Sequence, residues 1–507
     1  MSEANGRALT DSRLGKKSSP IMMASVIEPR LSGPNGELRM FDAFMKVDLA
    51  HVAMLTECGI VPHEKARRLL GALLDLQARG PDAIQLDPSL GTLLLQIERH
   101  LAREAGQDAA GMLQLARSRI DQGATIMRVL VRDRLLDAVS QLMALQDALR
   151  DRARAWQSVV MPGYTHGQHS QPWVLGHYLL AQFDAFVRDV DRLLQNYARV
   201  NRSPLGAAAM SGTGWPIDRR RAAALLGFDD IIRNSKDASF INGMDFLPET
   251  AANLSILLNG CGRLASDLYV WSTWEFGLVD LDAGLCGTSS IMPQKKNPYV
   301  LERVRALAGE SIGWVATQLG LMRSSTSTDC DLNFASNHYL GYFDSARWSL
   351  DLMAEAIRTL NIDQERMAER AGAHWTTSSN LADCMVRETG LDFRQAHHVV
   401  GALVRAAIES GLHPRDVRSA DVDRVSQAVL GRPLQLGDDA VRQALDVQAF
   451  VDSRVSEGSI RPAEVASLLE EADRCAQRLR AQWEAHRRAV DGASDTLALT
   501  AARLAGR

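Results

Sequence analysis

TIMRVLVRDRLLDAVSQLMALQDALRDRARAWQSVV, residues 125–160, is the stretch on which the fold turns. Its apolar positions include Leu135, Val139, Leu142, Leu145 and Leu149, three or four apart, the spacing of one face of an α-helix. No proline interrupts the run before Pro162, so it predicts one helix of roughly 35 residues, about 50 Å long. Pro162-Gly163 should break it. A second long pattern follows from Trp173 to about Val200 and stops before Pro204-Leu205-Gly206. Further helical stretches are expected over residues 247–276, 299–322 and 333–360. Alternating β-branched runs are scarce, and no strand–helix alternation suggests a parallel sheet. The reading is an all-α protein whose long helices pack as a central bundle. Helices of this length exceed what one compact subunit needs and point to helices shared in an oligomer.

Outward from the bundle, the chain divides into an N-terminal helical domain (1–116), the central long-helix bundle carrying the reactive segments (117–375) and a C-terminal helical domain (376–507). The region after Ala371 reads as shorter helices with charged connections. The 507 residues are 46% hydrophobic and 23% charged, with a formal net charge of −4. That balance is ordinary for a globular protein and gives no reason to expect nucleic acid or membrane partners. Small anionic substrates stay open, because a local cationic pocket is invisible in a whole-chain sum. Six scattered cysteines show no metal-ligand spacing, so reduced thiols are expected and neither a zinc site nor a disulfide framework. Lys16-Lys17 is followed only by a short apolar run, and no stretch reaches the roughly 18 apolar residues of a membrane span. The expected location is cytoplasmic.

Three segments put reactive side chains beside the long helices. They are Ala116-Arg117-Ser118-Arg119-Ile120-Asp121-Gln122, Met161-Pro162-Gly163-Tyr164-Thr165-His166-Gly167-Gln168, and the stretch from Gly284 through Ser289-Ser290 to Asn297-Pro298. In the third, glycines and prolines frame two hydroxyls, two ammonium groups and an amide. Backbone N–H groups and lysines suit such a loop to anions and to a serine acting as a base. Taken alone, the same composition also describes a solvated Ser/Lys loop.

The string SSIMPQKKNP (289–298) closely resembles the signature of the fumarase/aspartase superfamily in the form used by argininosuccinate lyases. MPGYTHGQHSQP (161–172) and ARSRIDQGAT (116–125) resemble that family's other two segments, in the same order and at similar spacing. The resemblance extends over about residues 33–479, including 203–207, Ser272-Thr273-Trp274-Glu275-Phe276-Gly277 and the His397-His398 segment. It implies a three-domain lyase fold, assembly as a homotetramer with each site built from three subunits, and no metal or organic cofactor. The implied chemistry is elimination of fumarate from a succinyl-type carboxylate. The proton removed is weakly acidic, so stabilising the doubly charged aci-carboxylate should be the largest catalytic contribution. By the resemblance, Ser289 is the base, and Lys295 and Asn297 stabilise the carboxylate and the charge developing on it. His166 belongs to the acid side, hydrogen-bonded to a carboxylate, and Glu302 is that partner. Ser118, Arg119, Thr165 and Gln168 contact substrate carboxylates. His169, His177 and His397-His398 are left to structure.

The pattern departs from the family at two places. Ile120 stands where the usual Ser-Arg-Asn-Asp-Gln has an asparagine that contacts substrate, and Met112-Leu113-Gln114-Leu115 replaces Lys-Leu-His-Thr. After the signature loop, the usual Tyr-Asn-Lys-Asp-Leu-Gln-Glu-Asp-Lys becomes Thr328-Asp329-Cys330-Asp331-Leu332-Asn333-Phe334-Ala335-Ser336, without the tyrosine or either lysine. Removing a charged partner from a buried carboxylate typically costs several kcal/mol. The expectation is therefore an argininosuccinate lyase-like enzyme with an altered leaving amine, Ile120 and Phe334 suiting a less polar one. Two alternatives are a genuine argininosuccinate lyase and a non-catalytic, crystallin-like homologue.

Overall fold

The computed structural model describes residues 18–241, 243–323 and 338–507. The altered stretch at 328–336 lies outside the described residues. The longest helices of the N-terminal part are α1 (Phe41–Glu57), α2 (His63–Arg79) and α3 (Leu93–Glu104). The bundle follows as α4 (Arg119–Ala155), α5 (Leu175–Val200), α6 (Phe246–Trp271), α7 (Tyr299–Met322) and α8 (Tyr339–Thr359). The sequence places α7 at its observed bounds. α4 begins six residues before the expected start, because Ser118 and Asp121 make a capping box that nucleates the first turn ahead of the apolar stripe.

α4 ends at Ala155, five residues before the expected stop. The chain instead enters a hairpin of β1 (Val160–Thr165) and β2 (Gln168–Val174), which the helical reading does not anticipate. Pro162 pairs with Pro172, where neither ring nitrogen needs to donate, and the register shifts beside Gly163. A Cβ on Gly163 would meet the Gln171 carbonyl oxygen at 2.5 Å. The return into α5 is equally close, since a Cβ on Gly176 would meet the Ala153 oxygen and the Gln157 Cα at 2.7 Å.

Within the bundle, α6 and α7 approach so closely that a Cβ on Gly262 would stand 2.8 Å from that of Ala308. The Ser255 and Ser311 hydroxyls meet at 3.2 Å across the same seam. Trp314 stacks on Tyr342 of α8 with centroids 4.3 Å apart. The other face of α7 is bare: Ala306, Gly309, Gly313, Ala316 and Gly320 are exposed, and Ile312 and Leu319 are 63% and 57% exposed.

Beyond the bundle come α9 (Ser378–Thr389), α10 (Phe393–Ser410), α11 (Ser419–Leu430) and α12 (Pro462–Ala505). Residues 375–445 enclose a core of their own around Leu381, Met385, Val399, Leu403 and Val422. The expectation of only short helices here fails at α12, which runs 44 residues and buries Val465, Leu469, Leu479, Val490 and Leu497 in the main core with α1, α2, α4 and α5. No helix among the described residues is long and apolar enough to cross a membrane.

Candidate functional site

The signature loop is pinched at its base. Gly287 pairs with Asn297 and Thr288 with Lys296 in a two-residue antiparallel ladder, and the turn between them stands into solvent with Ile291 83% exposed. Ser289 folds its side chain back into this turn: Oγ accepts hydrogen bonds from the backbone N–H of Met292 (3.0 Å) and Ile291 (3.4 Å). Donors aimed at Oγ favour the alkoxide over the hydroxyl, the direction a serine base requires. The two adjacent lysines have different surroundings. Lys296 Nζ is held by the Asp280 carboxylate at 2.8 and 2.9 Å, whereas Lys295 is exposed and forms no ion pair with any described residue. Asn297 is half-buried in the ladder. Glu302 lies exposed in the first turn of α7.

His166 and Gly167 form the two-residue tip of the hairpin between Thr165 and Gln168, with φ of +55° and +72°. Positive φ at both positions is the signature of the turn whose twist matches a hairpin. All four residues are exposed. The stem below them is braced by a cluster of rings. Tyr164 meets His169 edge-on at 5.0 Å and Phe276 at 5.6 Å, and His169 lies 4.8 Å from His374. Burial, with His374 and Arg370 nearby, pushes the His169 pKa down. His177 accepts the indole N–H of Trp173 and meets the Gly458 carbonyl, so it is spent on the scaffold.

Ser118 caps α4, its Oγ accepting from the Ile120 N–H at 3.3 Å. Arg119 points to solvent without an ion pair to any described residue, at the positive end of a 37-residue helix, and Ile120 is half-buried beside it. Asp121 holds this tip in place, and the sequence reading gave it no role. One carboxylate oxygen accepts the N–H groups of Ser118 (2.8 Å) and Gln122 (3.1 Å); the other accepts those of Gly206 (2.8 Å) and Ala208 (2.9 Å). Ala116, Gly206 and Ala208 all have positive φ around it. The signal was present in the S-x-x-D spacing of Ser118 and Asp121.

The three segments stand on separate elements. No hydrogen bond or ion pair links any two of the 118–122, 165–168 and 289–297 stretches, and none joins His166 to Glu302, among the described residues. No group of three or more His, Cys, Asp or Glu suited to a metal occurs among those residues. His397 and His398 are exposed on α10, over the separate 375–445 core.

A model of a lyase family matches residues 30–313, and one described as argininosuccinate lyase C-terminal matches 375–452. The argininosuccinate lyase of Methanothermobacter thermautotrophicus is 38% identical over 433 residues, 85% of this chain and 92% of that protein. That of Methanocaldococcus jannaschii is 37% identical over 431 residues, 84% of this chain and 86% of that protein. Among solved structures, EDDS lyase in complex with formate superposes with a TM-score of 0.86 at 32% identity, covering 97% of both chains.

Proposed function

Since the chain belongs to the argininosuccinate lyase family of the fumarase/aspartase superfamily and is a C–N lyase, we propose that it eliminates fumarate from an N-succinyl compound whose leaving amine is not that of argininosuccinate. The observation that carries this reading is a contrast between two of the segments. The signature loop keeps Ser289 under two N–H donors and Lys295 uncommitted, while the substrate-facing tip carries Ile120, whose side chain forms no hydrogen bond. The bond-breaking half is kept and the leaving-group half is changed. Similarity to EDDS lyase over 97% of both chains supports the same view, because that protein too is a lyase of this fold named for a substrate other than argininosuccinate.

In the proposed reaction Ser289 Oγ takes the proton on the carbon next to a carboxylate. The electron pair passes through the aci-carboxylate, held by Lys295 and Asn297, into the new C=C bond, and the C–N bond breaks. The amine leaves with a proton from the side of the site occupied by His166, oriented by Glu302. Ser118, Arg119, Thr165 and Gln168 hold the carboxylates. Because these groups stand on separate elements, the site is read as composite, assembled in a homotetramer. The bare small-residue face of α7, ending near Glu302, supports that assembly: close helix approach needs small side chains there.

The test is a panel of N-succinyl amines, argininosuccinate included, with fumarate release followed by absorbance. Turnover of a different N-succinyl amine, with argininosuccinate orders of magnitude slower, is expected. Argininosuccinate turnover at an ordinary enzymatic rate would sink the altered-amine reading. It would favour a genuine argininosuccinate lyase, to which the 38% identity also speaks.

A further inference from the structure

Directly before the Ser118-Arg119 tip the chain turns through Ala116 at φ +63° and sends Arg117 into the interior. The Arg117 side chain and that of Asp48 on α1 are both 0% exposed, and Nη2 stands 2.7 Å from Asp48 Oδ1. The contact belongs to a closed ring of four side chains. Arg117 Nε–H donates to Gln114 Oε1 (3.3 Å), Gln114 Nε2 to Gln122 Oε1 (3.3 Å), and Gln122 Nε2 back to Asp48 Oδ1 (2.9 Å). Glu98 on α3 lies beside Gln114 and Arg117 at its edge. The ring therefore grips the chain on both sides of Ser118 and Arg119 and ties both flanks to α1.

A fully buried ion pair is a poor way to gain stability, because desolvation offsets most of the attraction and apolar replacements of similar volume are often as stable. This pair is also imperfectly satisfied: among the described residues Asp48 Oδ2 and both Arg117 Nη atoms have no aligned hydrogen-bond partner, so the Arg117–Asp48 contact is an ion pair and the three other links are the hydrogen bonds. What such a ring supplies is direction, since its three hydrogen bonds are directional and the ion pair closes them around the chain.

We infer that Asp48, Arg117, Gln114 and Gln122 are positioning residues that hold the Ser118-Arg119 tip in the orientation that binds a substrate carboxylate. This rests on the reading of that tip given above. The ring touches no substrate; it acts through the backbone of residues 117–122.

The experiment uses full-length protein with fumarate as the probe, its Kd measured by titration calorimetry beside the thermal midpoint. The double variant Asp48→Leu/Arg117→Met replaces the pair by apolar groups. Expected is a midpoint close to the parent's with a fumarate Kd raised at least tenfold. Gln114→Leu, which opens the half-buried link while keeping the Asp48–Arg117 ion pair, should raise Kd at least threefold and serves if the double variant does not fold. Arg119→Ala tests the underlying reading. If Arg119→Ala weakens fumarate while the folded ring variants bind like the parent, the ring proposal is overturned. If Arg119→Ala itself binds fumarate like the parent, the reading of the tip is what fails.

Discussion

Asp121→Asn is the substitution with the most to say about how this chain builds its site. The carboxylate is fully buried and accepts four backbone N–H groups, two from the start of α4 and two from the 206–208 turn. An amide of the same shape has one oxygen. Whichever way it turns, its NH2 group faces two N–H donors at about the distances where the carboxylate now accepts. Two hydrogen bonds to a charged acceptor are lost, at about 1.5–3 kcal/mol each. Burial raises the Asp121 pKa, against which those N–H groups work, so removing the charge returns part of the loss as relieved desolvation. A net local cost of about 2–3 kcal/mol remains. The oxygen should stay in the capping box, accepting the N–H groups of Ser118 and Gln122 at the start of its own helix, and release Gly206 and Ala208. Both turn residues hold positive φ, and Ala208 adopts it against its own preference. Hydrogen–deuterium exchange of a peptide covering 203–212 reads this directly: about 2–3 kcal/mol of lost protection is a ~30- to 150-fold faster exchange. Parent-like exchange in that peptide, with the variant folded, would refute the idea that Asp121 latches the turn to α4.

Three further outcomes follow from the geometry. Lys295→Ala should lower kcat by about 10²–10³-fold as a lost stabiliser of developing charge, whereas Lys296→Ala, which breaks only the exposed pair with Asp280, should cost under about 1 kcal/mol of stability; equal effects on kcat would contradict the division of labour between them. His51 is buried with Nε2 at the Leu115 carbonyl, and burial, then Arg117, lowers its pKa well below the usual value. The unfolded chain therefore binds a proton that the folded chain does not, and stability is lost as pH falls through the ordinary histidine range, by up to about 1.4 kcal/mol per pH unit; the midpoint should drop between pH 7.5 and 5.5 by less in His51→Gln than in the parent. Gly176→Ala puts a methyl 2.7 Å from backbone on α4 and just beyond it, and about 1–3 kcal/mol of overpacking should appear as a lower thermal midpoint.

The helices were legible where their apolar residues carry the period by themselves. α7 is the clearest case, every third or fourth residue from Val300 to Trp314 being buried. α4 shows what periodicity leaves out. Its first turn holds Asp121 and Gln122, both buried and both polar, so the stripe starts late and only the cap reveals the true beginning. α12 escaped for a related reason. Between Leu479 and Val490 it meets α4 through Trp483, whose indole N–H donates to the Leu136 carbonyl, and through the ion pairs Arg480–Asp147 and Arg487–Asp137, while the other positions are alanine or polar. A stripe so diluted by charge does not look like a core helix until its partners are in place.

The site divides along the same line. Ser289, His166 and Arg119 could be named because each sits in a short ordered string, and local chemistry is written in local sequence. What holds them is not local. Asp48 and Gln122 are 74 residues apart, and Asp121 and Gly206 are 85 apart, so their pairing exists only once the helices have packed. Their polar character was visible; their direction was not. The hairpin and the signature loop make the stronger point. Thr165, His166 and Lys295 are exposed on separate elements, and no hydrogen bond or ion pair joins these elements among the described residues. Exposed reactive groups on rigid supports are costly to aim unless something closes over them. The bare face of α7, with Ile312 and Leu319 left in solvent, is the apolar surface on which such closure can be built. The residues proposed for the chemistry thus stand out in one chain, while the proposed composite site would set the distances between them in an assembly.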